Sequence, residues 1–172
     1  MPTDPATVAF KSDASVRILA HSVVTMIGTS NPSTFEATYV KLPKAAGSKP
    51  WQTDQVAGVT AMDFLDPNQL IAQGTDPTTI NLVAWAAPYA TSGVGLAVSC
   101  VVKGITFVYV SGVVAAGDTL FPADAYGRVN NAANLGIKAG DGITYPVGIA
   151  QKPSSAANQI IEVLCEFGSV IY

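Results

Sequence analysis

Apolar residues in this chain recur with a period of two, and no stretch sustains the 3.6-residue period of an amphipathic helix. The clearest case is the run 161–167, in which every second residue is apolar and Glu162 and Glu166 fall on the other side. Such alternation is typical of a strand with one face in a core and one in water. The shorter runs 16–18 and 35–40 alternate in the same manner.

Two apolar runs, 96–102 and 105–110, flank the dipeptide Lys103-Gly104. A tight turn with glycine at a position of positive φ is the simplest connection between them. The pattern therefore predicts a β-hairpin centred on Lys103 and Gly104. Both this hairpin and the strand 161–167 are expected to lie in the core.

Glycine and aspartate mark further turns in the second half of the chain, where short strands are expected at 119–121 and 147–150. The turns that bound these strands are expected at Gly117-Asp118, Gly127 and Gly140-Asp141-Gly142.

Helix is expected in two short places at most. Asp66-Pro67 can begin a turn or two over 68–73, and Asp76-Pro77 is a second possible start. The residues that follow the second start, 80–85, are β-branched and aromatic enough to favour a strand. The chain as a whole is therefore predicted to be all-β, an antiparallel β-sandwich or small β-barrel.

The first fifty or so residues differ from the remainder because they carry five prolines, leave room for only two or three short strands and end in a loop at 41–51. Proline stiffens the backbone and removes a hydrogen-bond donor. We predict that 1–54 is an extended N-terminal arm with short strands, which reaches a neighbouring subunit, and that 55–172 is the β-domain. The alternative is that these strands complete the domain's own sheet.

Charged residues make up 12% of the chain, about half the usual share of a soluble domain, and the net charge is −3. Much of the surface must be small and uncharged, which suits a protein that stays in contact with other proteins. An ordinary β-protein with a serine- and threonine-rich face is the alternative. The acidic balance argues against nucleic-acid binding by phosphate neutralisation, and Lys41, Lys44 and Lys49 are the nearest approach to a basic cluster.

Reactive groups are scarce. Cys100 and Cys165 lie in apolar runs and are predicted to be buried free thiols, with a disulfide between neighbouring strands as the alternative. The single histidine, His21, falls in a predicted strand at 16–27, where a structural role is expected, and it completes no zinc site with the cysteines. Asp118 and Asp124 could hold a cation, but aspartate beside glycine or proline is first a turn residue. We predict no catalytic residue, no metal and no cofactor, and therefore no enzyme.

No residue from 77 to 102 is charged, so a membrane span has to be considered. Prolines and glycines at Pro77, Pro88, Gly93 and Gly95 would interrupt a spanning helix repeatedly. The first residues carry an acid and prolines where a signal peptide would carry lysine or arginine. We expect a protein that is soluble, intracellular at synthesis and free of membrane contacts.

The second half of the chain carries a distinctive succession of turns and short strands, at 110–120, 125–129, 146–150 and 156–167. It consists of a Gly-Asp turn, a short strand, a Gly-x-Val step, the tetrapeptide Val147-Gly148-Ile149-Ala150, a turn of small residues and a final strand. Over 96–167 this resembles the capsid decoration, or cement, proteins of tailed phages.

The resemblance implies an all-β domain that is a homotrimer and binds the outside of a phage head. Its partner would be the major capsid protein, its location the virion, and its task to stabilise contacts between capsid subunits. Closed threefold symmetry fits that task, because one surface can then face each of three neighbours. Two other interpretations stay open: another virion component such as a head fibre base or tail protein, and a β-module that binds carbohydrate or a host surface.

Overall fold

The chain was examined as a computed structural model, which describes residues 5–12, 18, 20–26, 39–61 and 97–172. Strands dominate these residues, and the expected all-β fold is confirmed. The possible helix starts at Asp66 and Asp76, the strand expected at 80–85 and most of the uncharged run lie outside the described residues.

The elements of the described residues are short, apart from one long central strand. The helices are α1 (Pro50–Thr53) and α2 (Ala132–Leu135), and a 3-10 turn spans Ala46–Ser48. The strands are β1 (Ala6–Ser12), β2 (Val23–Met26), β3 (Tyr39–Lys41), β4 (Val56–Thr60), β5 (Ala97–Tyr109), β6 (Thr119–Pro122), β7 (Val129–Asn131), β8 (Ile143–Thr144), β9 (Gly148–Ala150), β10 (Ile160–Cys165) and β11 (Val170–Ile171).

Nine of these strands form one curled sheet in the order β1-β3-β2-β4-β5-β10-β9-β6-β7, and β8 pairs with β11 separately. The curled sheet forms a half-barrel. Because β1 also pairs with β5, the strands β1, β3, β2, β4 and β5 form a closed circuit, which we call the five-strand ring. The strand pairs are antiparallel except for β1 and β3, whose connection contains β2 and so is long enough for parallel pairing.

The hairpin predicted at Lys103 and Gly104 is wrong. β5 continues through both residues without reversing direction: Lys103 pairs with Ala6 of β1, and Gly104 pairs with Cys165 of β10. Gly104 does adopt a positive φ, of 92°. It uses that freedom to bend a continuous strand at the point where its partners change, instead of reversing the chain.

Two apolar clusters lie on opposite faces of β2, β4 and β5. The larger one, the main cluster, also receives residues from β6, β7, β9 and β10. The smaller one fills the five-strand ring, and we call it the ring cluster; its buried members are Ile18, Val24, Val40, Leu42, Ala57, Val98 and Cys100. Neighbouring residues of one strand serve different clusters, as Cys100 and Val101 do, so these three strands are buried on both faces.

Several other predicted strands and turns are confirmed, with small differences in where the strands begin and end. The short strands at 119–121 and 147–150 are confirmed as β6 and β9, and the three predicted turns contain glycines of positive φ. β10 buries Ile161, Val163 and Cys165 as predicted, although it begins at Ile160 and ends at Cys165.

The strand expected at 16–27 is wrong around His21, because β2 begins only at Val23. His21 lies in a turn, with a φ of 65°.

The described part of the predicted N-terminal arm contains three strands, β1, β2 and β3, which fits the expected number, and it also contains the 3-10 turn and α1. Within one chain all three join the same sheet as β4 and β5. That is the arrangement of the alternative in which the strands complete the domain's own sheet. The division at residue 54, and the origin of β1 in an assembled protein, stay predictions.

Candidate interaction surface

The groups that could carry chemistry occupy structural positions in the described residues. The backbone N–H of His21 donates to the carbonyl of Thr60 at 2.8 Å, and its own carbonyl accepts from Tyr109 at 3.0 Å. Its ring lies 6.0 Å from that of Phe107 and 6.4 Å from that of Tyr109, measured between centroids. The histidine therefore joins β4 to β5.

Asp118 and Asp124, the pair considered for a cation, are each engaged in a turn. The Oδ2 atom of Asp124 accepts from Nη2 and Nε of Arg128 at 2.7 and 3.0 Å, and Arg128 donates from Nη1 to Asn158. Asp118 accepts from the backbone N–H of Ala115 at 2.9 Å. Across the described ranges, no group of three or more histidine, cysteine or acidic residues is arranged to hold a metal ion.

Both cysteines are buried free thiols, as predicted, and the alternative disulfide does not form. Cys100 belongs to the ring cluster and Cys165 to the main cluster. Burial raises the pKa of each thiol from 9.0 to about 12. Because the thiolate is the nucleophile and metal ligand, these neutral thiols are poorly suited to either role at neutral pH.

Two open depressions mark the half-barrel. One of about 220 Å³ lies between β6, β9 and the residues 166–170, and one of about 360 Å³ lies beside Lys103, Gly104 and Phe167. Cys165 lines the second depression, where its raised pKa keeps the thiol protonated.

The most organised surface is formed by three segments that hydrogen bonds hold together: the loop 111–118, helix α2 and the turn 154–157. We call it the loop platform. Ser154 fastens the turn to the loop, because its Oγ accepts from the N–H of Val114 at 3.0 Å and donates to the carbonyl of Gly112 at 2.8 Å. Ser154 itself is 5% exposed, so these bonds are shielded from water.

Asparagines fasten the same loop to α2. The Nδ2 atom of Asn134 donates to the carbonyl of Val113 at 2.7 Å and to Oδ1 of Asn130 at 2.8 Å. Asn130 in turn donates to Oγ of Ser111 at 2.9 Å. The loop is thus held by two sets of hydrogen bonds, one from Ser154 and one from the asparagines.

The start of α2 is tied into the same network. Asn131 caps the helix by accepting from the N–H of Asn134 at 2.9 Å, and it donates to Oδ2 of Asp118 at 2.8 Å. That carboxylate oxygen also holds the N–H of Ala115. The helix cap and the loop turn therefore share one carboxylate, which couples their positions.

No exposed residue of the loop platform is charged. Its one carboxylate, Asp118, is half-buried and accepts hydrogen bonds from Ala115 and Asn131. Val113 stands out from the platform at 58% exposure. Its other exposed members are small or neutral: Ala115, Ala116, Gly117, Ala133, Asn134, Ser155, Ala156 and Ala157. From residue 101 to 172 only four exposed residues are charged, and they lie outside the platform: Lys103, Lys138, Lys152 and Glu166.

Such a surface suits contact with another protein. Alanine and glycine lose almost no side-chain entropy when they are covered, and a loop that is already held loses little more on binding. Uncharged residues also avoid the cost of desolvating lysine or glutamate. Sequence reasoning missed this site, because the bond between Asn134 and Val113 joins residues 21 apart. Asparagine before the helix-forming pair Ala132-Ala133 is a local signal that could have indicated the cap at Asn131.

Comparison with known proteins adds no relative: no model of a protein family matches the chain, and no curated protein matches it. Among the residues that the structure describes, no helix is long and apolar enough to cross a membrane.

Proposed function

We propose that this chain is a structural virion protein that binds the outer surface of a phage capsid and stabilises contacts between major capsid subunits. The proposal rests on the resemblance of 96–167 to tailed-phage decoration proteins and on the surface that those residues build. In the same way we propose a homotrimer, located on the virion, that is not an enzyme.

The observation that carries the proposal is the loop platform. The loop 111–118 and the second half of the turn 154–157 fall within the stretches that carry the resemblance. A cement protein needs a rigid, uncharged surface that fits closely against another protein, and the platform offers one. We assign it to contact with the major capsid protein, with Val113 as its central apolar residue.

The scarcity of charge supports the same function. A nucleic-acid ligand would require a basic surface. Among the described residues the exposed lysines are Lys44, Lys49, Lys103, Lys138 and Lys152, and none of them lies on the platform. A closed trimer would present three platforms at once. Several weak contacts on one lattice then combine into strong attachment, provided that their spacing matches the capsid.

The test is binding to heads assembled from the major capsid protein of the phage whose genome carries this sequence. Co-sedimentation measures the binding of the full chain and of two variants, Ala116→Glu in the platform and Ala45→Glu at an exposed alanine outside it. A carboxylate buried without a partner should weaken binding at least about tenfold, which corresponds to about 1.4 kcal/mol.

We expect the Ala116→Glu variant to lose binding and the Ala45→Glu variant to bind like the unaltered chain. Equal binding by the two variants would remove the platform from the proposal. Binding of the unaltered chain to tails and not to heads would overturn the proposal in favour of a tail component.

A further inference from the structure

Strand β1 covers the interior of the five-strand ring. It pairs with β5 from Ala6 opposite Lys103 to Lys11 opposite Ala97, and with β3 at its far end. Phe10 lies opposite Val98 and packs on the ring cluster. Val98 and Cys100 are 2% and 0% exposed. Without a strand in the position of β1, this edge of β5 and the cluster behind it would meet water.

The covering strand itself is hardly buried. Residues 6–9 of β1 are exposed, Val8 at 43%, and Phe10 is only partly buried. Of the β1 residues whose burial the structure describes, 6–10, none is among the buried members of the two clusters. Among these residues only the side chain of Phe10 packs on a cluster, so the backbone ladder of β1 to β5 and β3 is the main contact that holds them in place.

The ring cluster needs a strand in the position of β1 to shield it from water, whereas β1 makes few side-chain contacts that fix it to its own chain. A strand held in this manner opens at low cost, and the edge it leaves is a template for an identical strand.

We propose that β1 is exchanged between copies of the chain, so that β1 of one subunit completes the five-strand ring of the next. The inference rests on the homotrimer of the proposed function and specifies how its subunits are joined. An exchanged β1 makes the same hydrogen bonds and the same contact of Phe10 as a retained one, so the exchange forfeits no contact. In a closed trimer each ring receives one strand and gives one.

The chain's own Cys100 supplies the test. Val8 lies directly opposite Cys100 on the antiparallel partner, and side chains in that relation share one face at a spacing that a disulfide can bridge. A Val8→Cys variant is unfolded in urea and refolded in the presence of oxidised and reduced glutathione, so that the thiol of Cys100 is accessible before β1 covers it. Its products are separated on a denaturing gel without reductant, and peptide mass spectrometry identifies the bonded pair. Ala9→Cys, opposite Ser99 and on the other face, is the matched control.

Exchange predicts that Val8→Cys gives covalent dimers and trimers containing a bond between positions 8 and 100, and that Ala9→Cys gives neither. The same bond found only within monomers would overturn the proposal, as would the absence of any bond at Cys100. Light scattering of the native variant reports the oligomer separately. A trimer whose bonds are all internal refutes exchange alone, whereas a monomer refutes the trimer as well; neither result bears on capsid binding.

Discussion

Gly148 in β9 occupies a place where the backbone of β10 comes unusually close. A Cβ atom built on Gly148 would overlap the carbonyl oxygen of Leu164, and it would lie 2.9 Å from the carbonyl carbon of Leu164 and 3.1 Å from Cα of Cys165. All of these are backbone atoms, so no flexible side chain can move aside. Gly148 also pairs with Leu120 of β6, which limits movement of β9 in the other direction.

The Gly148→Ala variant should therefore be clearly destabilised. Forcing extra atoms into a packed interior costs about 1–3 kcal/mol, and here the obstacle is main chain, which places the cost at the upper end. Replacing glycine also stiffens the unfolded chain, which by itself stabilises by about 0.4–1 kcal/mol. We expect a net loss of about 2 kcal/mol in the free energy of unfolding. For a chain of this length that corresponds to a Tm lower by about 4–8 °C.

Gly47 provides the matched control, because a Cβ atom built there meets nothing within 4 Å. The Gly47→Ala variant changes the unfolded chain in the same way without the overlap, so it should equal or exceed the unaltered protein in stability. Urea unfolding followed by far-UV circular dichroism gives both values. Equal stabilities for the two variants would refute the close approach of β9 to β10.

Three further predictions concern other contacts. Between pH 9 and 12 the two thiols stay protonated in the folded protein and ionise in the unfolded chain, so the unfolded state binds fewer protons there. The free energy of unfolding therefore falls as pH rises through that window, by up to about 1.4 kcal/mol per pH unit for each thiol. A pH series of urea melts should show a shallower fall in a Cys165→Ala variant, and an unchanged slope would contradict the prediction. Asp124→Asn should lower the free energy of unfolding by about 1–3 kcal/mol because the ion pair with Arg128 is largely buried. Lys44→Met should change it by less than about 1 kcal/mol because the Lys44 side chain, paired with Asp54, is 46% exposed. Thermal melts that rank the two variants the other way would contradict this prediction. Asn134→Ala should speed amide hydrogen exchange in the loop 111–118 while leaving β10 protected, and unchanged exchange in that loop would show that Asn134 does not hold it.

The accuracy of the sequence predictions follows the range of the interactions involved. The alternation in 161–167 and the Gly-Asp turns depend on neighbouring residues, and β10, β6 and their turns lie where the pattern placed them. Gly104 has the positive φ that was expected, but the sequence could not tell a turn from a bend, because the difference lies in partners at Ala6 and Cys165.

His21 shows the same limit. Its run of apolar neighbours suggested a strand, whereas its position is determined by hydrogen bonds to Thr60 and Tyr109, 39 and 88 residues further along the chain. The loop platform likewise depends on Ser154 and Asn134 reaching back to residues 112–114, which no local pattern reveals.

The proposed place of this chain on a virus head is tested most directly by its molar ratio to the major capsid protein in purified particles of the phage that encodes it. Quantitative mass spectrometry of heads separated from tails supplies that ratio. We expect the chain to be retained on the heads in a fixed ratio of order one per few capsid subunits, and to be released as a trimer under mild dissociation. Heads that contain fewer than one copy per particle, with the chain found on tails or free in the lysate, would contradict this expectation.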